Sequence, residues 1–300
     1  MLPDSLAAAL KRQRYSLVGG HSAVKPCLWL GRGVRGEGFC YKQKFYGIES
    51  HRCMQMTPSV AWCTHCCVFC WRNTEFTDTS LGEWDEPEAI IVGSVAAHRQ
   101  AVSGFKGAHV DERLWQEARK PKHVAISLAG EPTLYPLLGG LIEGYKKRGM
   151  TTYLVTNGTL PDKLASLECL PTQLYVSLVA PDEKTYRRVA APLVNGTWEK
   201  FNKTLELLPS LGTRKVVRIT AVKGLNMTDA KGYARLIEKA RPDYVEVKAF
   251  MFVGGSRQRM SLANMPSHEE IRDFANQIAA ETSYAVKDEK GDSRVVLLTN

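Results

Sequence analysis

The sequence lacks several features that would place it outside the ordinary globular proteins. It has no apolar run approaching the roughly 20 residues of a membrane-spanning helix, and no internal repeat or low-complexity tract. Basic residues lie near the N-terminus at Lys11, Arg12 and Arg14, but no apolar core and small-residue cleavage site follow them. We therefore expect no signal peptide, no membrane partner and a cytoplasmic protein whose cysteines stay reduced.

Acidic residues are also in short supply relative to basic ones. Lysine and arginine total 40 against 31 acids, which gives a net charge of +9 in 300 residues. This excess favours a polyanionic partner such as nucleic acid, although many basic proteins bind none. The basic residues form several local clusters: Lys42, Lys44 and Arg52; Lys146, Lys147 and Arg148; Arg187 and Arg188; and Arg257 and Arg259.

The most informative stretch of the chain is a cysteine-rich segment at residues 61–72. Cys63, Cys67 and Cys70 stand there at C-x3-C-x2-C spacing. Three thiolates this close together can hold three corners of a cubane iron–sulfur cluster, which leaves one iron open for chemistry. A structural zinc site usually has four ligands in two separated pairs, and a ferredoxin-type site needs a fourth nearby cysteine. The spacing therefore favours a three-ligand cluster, with zinc as the alternative.

Three further cysteines stand in the segment that precedes this one. Cys27, Cys40 and Cys53 are separated by twelve residues each. Residues 19–58 show neither helical nor alternating periodicity, so we expect something other than regular structure to order them. The alternative is three unrelated buried thiols, since free cysteine is commonly buried. Next to a cluster motif, a second metal site with three protein ligands is favoured.

From residue 59 onward the pattern alternates between strand and helix, which is typical of a parallel α/β sheet. We predict strands at 59–62, 123–128, 151–155, 173–179, 215–222, 244–250 and 294–298, and helices at 4–18, 86–104, 111–119, 135–148, 197–208, 229–240 and 267–281. The first six of these strands, with helices between them, indicate a partial (β/α)6 barrel, and 294–298 is a last, additional strand. We therefore divide the chain into an N-terminal cysteine-rich extension at 1–58 and a barrel at 59–300, with a polar and basic insertion at 105–122.

The cysteine loop, with the aromatic Phe69 before its last cysteine, resembles the radical S-adenosylmethionine (SAM) enzymes. The amino-acid sequences of residues 20–27, 40–48 and 50–53 narrow the resemblance to the archaeal single-domain tRNA 4-demethylwyosine synthases of wybutosine biosynthesis. It covers nearly the whole chain. Position 66 departs from the family, because Cys66 stands where we would expect asparagine. We interpret Cys66 as a non-ligand.

The resemblance implies two [4Fe–4S] clusters and a lyase-type radical reaction. The cluster of Cys63, Cys67 and Cys70 would bind SAM and yield a 5′-deoxyadenosyl radical. This radical would take hydrogen from the N1-methyl group of 1-methylguanosine 37 in tRNA-Phe, and the carbon radical would join a two-carbon unit of pyruvate. The second cluster, on the remaining three cysteines, would hold pyruvate.

Other site residues are expected where strands end, since barrel active sites lie at the carboxyl ends of strands. Gly130 and Glu131 follow the second predicted strand, and the resemblance matches them to the segment that holds the SAM amino group. The same resemblance makes Thr156, Asn157 and Phe69 candidates for the SAM pocket. Gly130 and Glu131 could instead form a simple turn, as could the segment at Thr156 and Asn157. Ser177 is a further candidate, or a buried serine bonded to backbone.

Charged side chains inside apolar strands form another class of candidate. Arg218 and Lys248 stand in the fifth and sixth predicted strands. Buried charge is costly unless it is paired, so we expect both to face the barrel mouth, or Arg218 or Lys248 to pair with Glu246.

Lys42 and Lys44 are the candidates for covalent catalysis, because they closely follow Cys40. A lysine with a lowered pKa could form a Schiff base with the pyruvate ketone, and Lys42 is the first choice. The alternative is that both lysines only attract tRNA phosphate. Trp62, Trp71 and Phe76 are possible stacking platforms for an unpaired tRNA base, or core residues.

The flavodoxin-like domain of larger relatives is absent, so we expect a separate electron-donor protein, and we expect a monomer. Two alternatives stay open at this point. One is a radical SAM enzyme acting on another substrate, with an auxiliary electron-relay cluster. The other is a non-enzymatic, metal-ordered RNA-binding module.

Overall fold

The computed structural model of the chain describes residues 2–79, 82–107 and 109–300. The chain divides into two compact units. The first unit comprises Met1–Trp62, Ser80–Val155 and Leu167–Thr172, and the second comprises Cys63–Thr79, Thr156–Ser166 and Gln173–Asn300.

The first unit has five strands and six helices among its described residues. In chain order these are α1 (Asp4–Arg12), β1 (Ser16–Val18), β2 (Ser22–Val24), α2 (Leu28–Val34), α3 (Tyr41–Tyr46), β3 (Cys53–Thr57), α4 (Pro87–Ser103), α5 (Glu112–Ala118), β4 (His123–Ile126), α6 (Leu138–Lys147) and β5 (Thr151–Thr156, whose last residue belongs to the second unit). Strands β1, β2 and β3 pair antiparallel, and β3, β4 and β5 pair parallel.

Burial explains the parallel part of this sheet. Every side chain of β4 is buried, as is typical of a strand covered on both faces. The predicted insertion at 105–122 contains α5, which packs against α2 and α4. The contacts between these helices form one apolar cluster of Leu30, Val34, Val102, Trp115 and Ala118, with Cys27, Phe105 and Val110 at its margin.

The second unit continues the alternation of strand and helix. Its elements are α7 (Pro161–Ala165), β6 (Gln173–Ser177), α8 (Glu183–Ala190), α9 (Thr197–Leu207), β7 (Arg214–Ala221), α10 (Ala230–Ala240), β8 (Tyr244–Ala249), α11 (His268–Ala279), β9 (Ala285–Lys290) and β10 (Val295–Thr299). Strands β6, β7 and β8 pair parallel, and β10 lies antiparallel between β8 and β9. The chain therefore has a mixed α/β fold.

Side-chain caps fix where two helices of this unit begin. Asp182 precedes α8 and accepts a hydrogen bond from the Thr185 N–H at 2.8 Å. Ser267 and Glu270 form a capping box at the start of α11. Both arrangements satisfy N–H groups that the first helical turn leaves without a backbone partner.

Three sequence predictions in the N-terminal region were wrong. Residues 59–62 form a turn in which the Trp62 N–H donates to the Ser59 carbonyl, and the first parallel strand is instead β3. Helix α1 ends at Arg12 rather than at residue 18. The segment 19–58, for which no regular structure was predicted, contains β2, α2, α3 and β3. These elements are short, so their periodicity was too brief to detect.

None of the described helices has both the length and the apolar character needed to cross a membrane.

Candidate active site

The three cysteines of the close-spaced motif lie in one irregular loop of the second unit. The Cys70 N–H donates to the Cys67 carbonyl at 3.0 Å, which turns the chain between these two residues. Burial raises the pKa of the Cys67 thiol, and the nearby charges of Cys70 and Cys63 raise it further. The three sulfur atoms therefore lie within electrostatic reach of one another.

A buried arginine accompanies these thiols. Arg72 is 4% exposed, and its Nη2 donates to the His65 carbonyl at 3.2 Å. Burial lowers the pKa of Arg72, but Cys70, Cys63 and Cys66 outweigh that effect, so the pKa is raised overall. A buried guanidinium is stable when it faces negative charge. Arg72 therefore indicates an anionic group at this loop.

Asn157 connects the same loop to the end of β5. Its Nδ2 lies 3.9 Å from the Cys63 sulfur, 2.8 Å from Thr64 Oγ1 and 2.9 Å from His65 Nδ1. The other ring nitrogen of His65 contacts the Tyr186 hydroxyl at 2.7 Å. Burial lowers the pKa of His65 to about 4, so its ring is neutral near pH 7. Its Nδ1 can then accept a hydrogen bond from Asn157 while its Nε2 donates one to the Tyr186 hydroxyl.

Arg259 also binds the cysteine loop, through several of its oxygen atoms. Its guanidinium donates to the Val68 carbonyl at 3.3 Å, to the Cys70 carbonyl at 2.5 Å and to Thr74 Oγ1 at 3.1 Å. Loop carbonyls that carry charge-assisted hydrogen bonds have little freedom to move. The sequence analysis counted Arg259 only as part of a basic cluster, so this role was missed.

Two glycines beside Arg259 allow the backbone to approach the loop closely. The Gly255 N–H donates to the Trp71 carbonyl at 2.7 Å. A Cβ atom at Gly254 would lie 2.4 Å from the Trp71 oxygen, and one at Gly255 would lie 2.5 Å from the Arg72 oxygen. Side chains at these positions would push the loop away. The Gly-Gly pair is the sequence signal that could have revealed this contact.

Phe69 and Cys66 have packing and hydrogen-bonding partners of their own. Phe69 packs against an apolar cluster that includes Val179 and Tyr186. The Cys66 N–H donates to the Ala191 carbonyl at 3.0 Å, and its thiol lies 3.8 Å from the Thr74 carbonyl. Cys66 is thus engaged with backbone groups.

The widely spaced cysteines come together within the first unit. Cys27 precedes α2, Cys40 precedes α3 and Cys53 opens β3. Burial raises the pKa of Cys53 to about 12; Cys27 and Cys40 raise it as well, and Lys42 opposes them. The fold therefore places three thiols and one ammonium group in a shared environment.

Lys42 and Lys44 differ sharply in exposure. Lys42 is 8% exposed, and its Nζ lies 5.2 Å from the centre of the Tyr153 ring. It also lowers the pKa of Cys27, whose net pKa is nevertheless raised by burial. Lys44 is exposed. Only the first lysine is therefore enclosed beside the cysteines of this unit.

Gly130 and Glu131 form a tight turn after β4 in the first unit. Gly130 has a φ of +70°, and a Cβ there would lie 1.7 Å from the Ser59 oxygen, so only glycine fits. Glu131 is 2% exposed and accepts hydrogen bonds from the Thr133 N–H at 3.1 Å and its hydroxyl at 2.6 Å. Trp62, which precedes the cysteine loop, is only 7% exposed, so its ring is not accessible to a tRNA base.

The remaining candidates lie on strands of the second unit or at their ends. Thr156 is buried and accepts a hydrogen bond from the Gly158 N–H at 3.0 Å. Ser177 is half-buried and lies opposite Arg218 in the ladder between β6 and β7. Arg218 forms an ion pair with the fully buried Glu246 at 2.8 Å, which confirms the pairing alternative.

Lys248 and the two remaining aromatic candidates have different surroundings. Lys248 donates a hydrogen bond to the Ser293 carbonyl at 2.6 Å. Trp71 is 42% exposed, and Phe76 is half-buried. Of the three proposed stacking platforms, Trp62 is therefore a core residue and Trp71 is the most accessible.

Each cysteine set is chemically suited to an iron–sulfur cluster. Each offers three soft thiols and one buried cation, Arg72 in one unit and Lys42 in the other. Burial raises the pKa of Cys67 in one set and of Cys27 and Cys53 in the other. Binding of these thiols to a metal would release the protons that burial retains. Three thiols do not complete a structural zinc site, which needs four ligands.

Comparison with known proteins agrees with this chemistry. The chain matches the radical SAM superfamily over residues 57–237 and the family described as wyosine base formation over residues 239–300. It is 51% identical to the S-adenosyl-L-methionine-dependent tRNA 4-demethylwyosine synthase of Pyrococcus abyssi, over 99% of this chain and 89% of that protein. It is 41% identical to the protein of that name in Methanocaldococcus jannaschii, over 100% of this chain and 97% of that protein.

A solved structure described as TYW1 with a lysine-pyruvate adduct bound is similar throughout. Its TM-score is 0.92 and its identity 40%, over 100% of this chain and 97% of that one. Radical SAM enzymes use SAM and a [4Fe–4S] cluster, so the prediction of an enzyme with these cofactors is confirmed and the non-enzymatic alternative is wrong. The chain belongs to the family of S-adenosyl-L-methionine-dependent tRNA 4-demethylwyosine synthases, the radical SAM enzymes of wyosine-base formation.

Proposed function

We propose that this protein condenses 1-methylguanosine 37 of tRNA-Phe with pyruvate to form 4-demethylwyosine. The observation that carries the proposal is the pair of three-cysteine sets, one in each unit, in a chain that belongs to this family. The names of the relatives state the tRNA product, and the name of the similar structure includes a lysine-pyruvate adduct.

Cys63, Cys67 and Cys70 would hold the [4Fe–4S] cluster of the radical SAM family. When bound, this cluster supplies the electron that cleaves SAM to methionine and a 5′-deoxyadenosyl radical. Arg72 offsets negative charge at the loop, and Arg259 fixes the carbonyls of the residues that carry the sulfurs. These residues orient the ligands before any substrate arrives.

Cys27, Cys40 and Cys53 would hold a second [4Fe–4S] cluster, which would offer pyruvate an iron with an open coordination position. The half-burial of the three cysteines and the effects of Cys27 and Cys40 on the pKa of Cys53 support this assignment. We also propose residues 1–58 as the extension that carries this site. For the rest of the chain we propose a partial (β/α)6 barrel, based on the three parallel strands found in each unit. Five of these six strands lie within residues 59–300, and the first, β3, lies at Cys53–Thr57 in the proposed extension.

Lys42 would form the Schiff base with pyruvate. Its amine would attack the ketone, form a carbon–nitrogen double bond and release water. Its enclosure beside Cys27 and Cys53 supports this role, because the amine would lie next to the cluster that would hold pyruvate. Lys44 is exposed, which favours a contact with tRNA phosphate instead.

Glu131 would accept hydrogen bonds from the SAM amino group, with Gly130 allowing close approach of the backbone. The burial of this carboxylate in the turn that follows β4 supports the first role. Phe69, Thr156, Asn157 and Ser177 remain proposals for the SAM pocket. Asn157 already binds the cysteine loop, so its contribution would include holding that loop in place.

The same proposal includes a tRNA-binding region, an electron donor and an oligomeric state. The basic insertion at 105–122 is proposed to contact tRNA, and the electron is proposed to come from a separate protein. We propose that the protein acts as a monomer.

The decisive assay incubates the anaerobically reconstituted protein with SAM, pyruvate, reductant and transcribed tRNA-Phe, with or without the N1-methyl group on guanosine 37. We expect a tricyclic base only with the methylated tRNA and pyruvate. A matched reaction with another keto acid tests the second substrate. If SAM is cleaved and no tricyclic base forms with the methylated tRNA, the proposed substrate assignment is overturned.

A further inference from the structure

A basic cavity in the first unit is lined by residues that, apart from Cys27, have no role in the chemistry described above. Its volume is about 640 Å³, and its walls come from the turn after α1, the segment before α2, α2 itself and the end of α4. Arg14, Lys25 and Arg35 line it together with Gln100, and no Asp or Glu side chain does so among the residues that the structure describes. The cavity is therefore positively charged and has room for a ligand of nucleotide size.

Two of the three cations have no counter-charge among the residues that the structure describes. Within the described parts of the chain, neither Arg14 nor Lys25 forms an ion pair with a carboxylate. Lys25 Nζ instead lies 4.5 Å from the centre of the Tyr15 ring. Arg35 uses its Nε in a hydrogen bond to Glu37 at 2.8 Å, and its terminal nitrogens remain available as additional donors. Like charges that converge without an anion repel one another, and an anionic ligand would relieve this repulsion.

The apolar part of the cavity indicates more than a bare anion. The rings of Tyr15 and Phe105 line it, as does Leu28, which is 64% exposed. Aromatic faces beside cations are typical of sites for unpaired nucleotides, where the base stacks and the phosphate pairs with lysine or arginine. Pyruvate is too small to use these rings and cations together.

We propose that this cavity binds a phosphodiester group of the tRNA substrate, with the neighbouring nucleotide packed against Tyr15 and Phe105. This inference rests on the proposed function, which makes tRNA the substrate. Cys27 also lines the cavity. The bound strand would therefore cover this side of the first-unit cysteine set and limit its contact with water.

The first test measures tRNA binding as a function of salt. The variant combines Arg14→Asn, which tolerates the left-handed φ of +63°, with Lys25→Met, which keeps the stem that packs on Tyr15. The matched control, Lys231→Gln with Arg235→Gln, removes one lysine and one arginine from exposed positions on α10. We expect the cavity variant to bind tRNA about tenfold more weakly, with a salt slope reduced by about one to two, and the control to match the unmodified protein.

The second test needs no substitution. Amine acetylation followed by mass spectrometry reports whether tRNA shields Lys25 in the unmodified protein. We expect tRNA to slow acetylation of Lys25 severalfold and to leave Lys231 unaffected. Equal labelling of Lys25 with and without tRNA, or an unchanged salt slope in the cavity variant, would overturn the proposal.

Two controls keep this outcome separate from that of the proposed function. Iron content and tRNA-independent formation of 5′-deoxyadenosine show whether the variant keeps its fold and clusters. If the variant loses iron, the acetylation experiment on the unmodified protein decides. If the unmodified protein binds tRNA through Lys25 and makes no tricyclic base, the proposed reaction fails while the phosphate site stands.

Discussion

The two cysteine sets of this protein have similar chemistry and are assembled in opposite ways. Cys63, Cys67 and Cys70 come from one short loop, which neighbouring side chains and glycines hold by its carbonyl groups. Cys27, Cys40 and Cys53 come from three separate elements, and only the packing of the first unit brings them together. The first set is thus encoded by local sequence, and the second by tertiary structure.

This difference indicates which structural changes would disrupt each set of cysteines. In the second unit, the short spacing in the sequence keeps the three sulfur atoms near one another. The supporting residues therefore only orient the loop that carries these sulfurs. In the first unit, α2 rests on the apolar cluster that includes Trp115, and Cys27 lies at the margin of that cluster. Damage to the packing there would separate the thiols.

The largest expected effects come from replacing one cysteine of each set, because the two sets should serve different steps of the reaction. Cys67→Ala should reduce SAM cleavage to the assay background, because it removes a ligand of the cluster that reacts with SAM. Cys27→Ala should abolish the tricyclic base and retain measurable SAM cleavage. Both products can be quantified by liquid chromatography and mass spectrometry from the same reaction. Parallel loss of both activities in Cys27→Ala would argue against separate roles.

The next prediction concerns the two lysines beside the first-unit cysteines. Lys42→Met should reduce tricyclic-base formation by about 100-fold or more, since a thioether cannot form an imine. Lys44→Met, the matched control, should keep the product yield within about threefold, because Lys44 is exposed. Borohydride reduction in the presence of labelled pyruvate should attach the label at residue 42. Label found on Lys44 instead would reverse the assignment.

A smaller effect is expected from the arginine that holds the second-unit loop. Arg259→Lys cannot donate to several loop oxygens in the same geometry, so iron should be lost to a chelator about tenfold faster. Arg257→Lys is the control, since Arg257 is exposed and its Nε donates to the Phe252 carbonyl. The electron paramagnetic resonance signal of the reduced cluster provides a readout besides activity. Identical iron loss and spectra in both variants would show that Arg259 does not position the loop.

The smallest effect is expected at the position that departs from the family. Cys66→Ala should keep cluster content and SAM cleavage within about twofold, because its thiol and N–H face backbone carbonyls. Cys66→Asn, which restores the residue expected from the resemblance, should behave in the same way. Loss of the cluster in Cys66→Ala would mean that Cys66 is a ligand.

Sequence reasoning was most successful where the signal was local. The loop of Cys63, Cys67 and Cys70 could be identified from spacing alone, and the long helices and buried strands followed from periodicity. The first strand could not, because Cys53–Thr57 is five residues long and contains polar Gln55. Propensity carries little information over so short a run.

The residues that support the site were harder to predict for a different reason. Arg259 lies 191 and 189 residues along the chain from the two carbonyls it binds, and nothing in the surrounding sequence identifies its partners. The choice between Lys42 and Lys44 also depended on burial, which the sequence does not specify at two positions of one short helix.

The central claim, that the two cysteine sets hold separate clusters, is tested most directly by iron and sulfide analysis with Mössbauer spectroscopy on three anaerobically reconstituted proteins. These are the unmodified chain and two triple alanine variants, one for each cysteine set. We predict about eight irons per chain for the unmodified protein and about four for each variant, all in [4Fe–4S] form. About four irons in the unmodified protein, with none left when Cys63, Cys67 and Cys70 are replaced, would contradict the account.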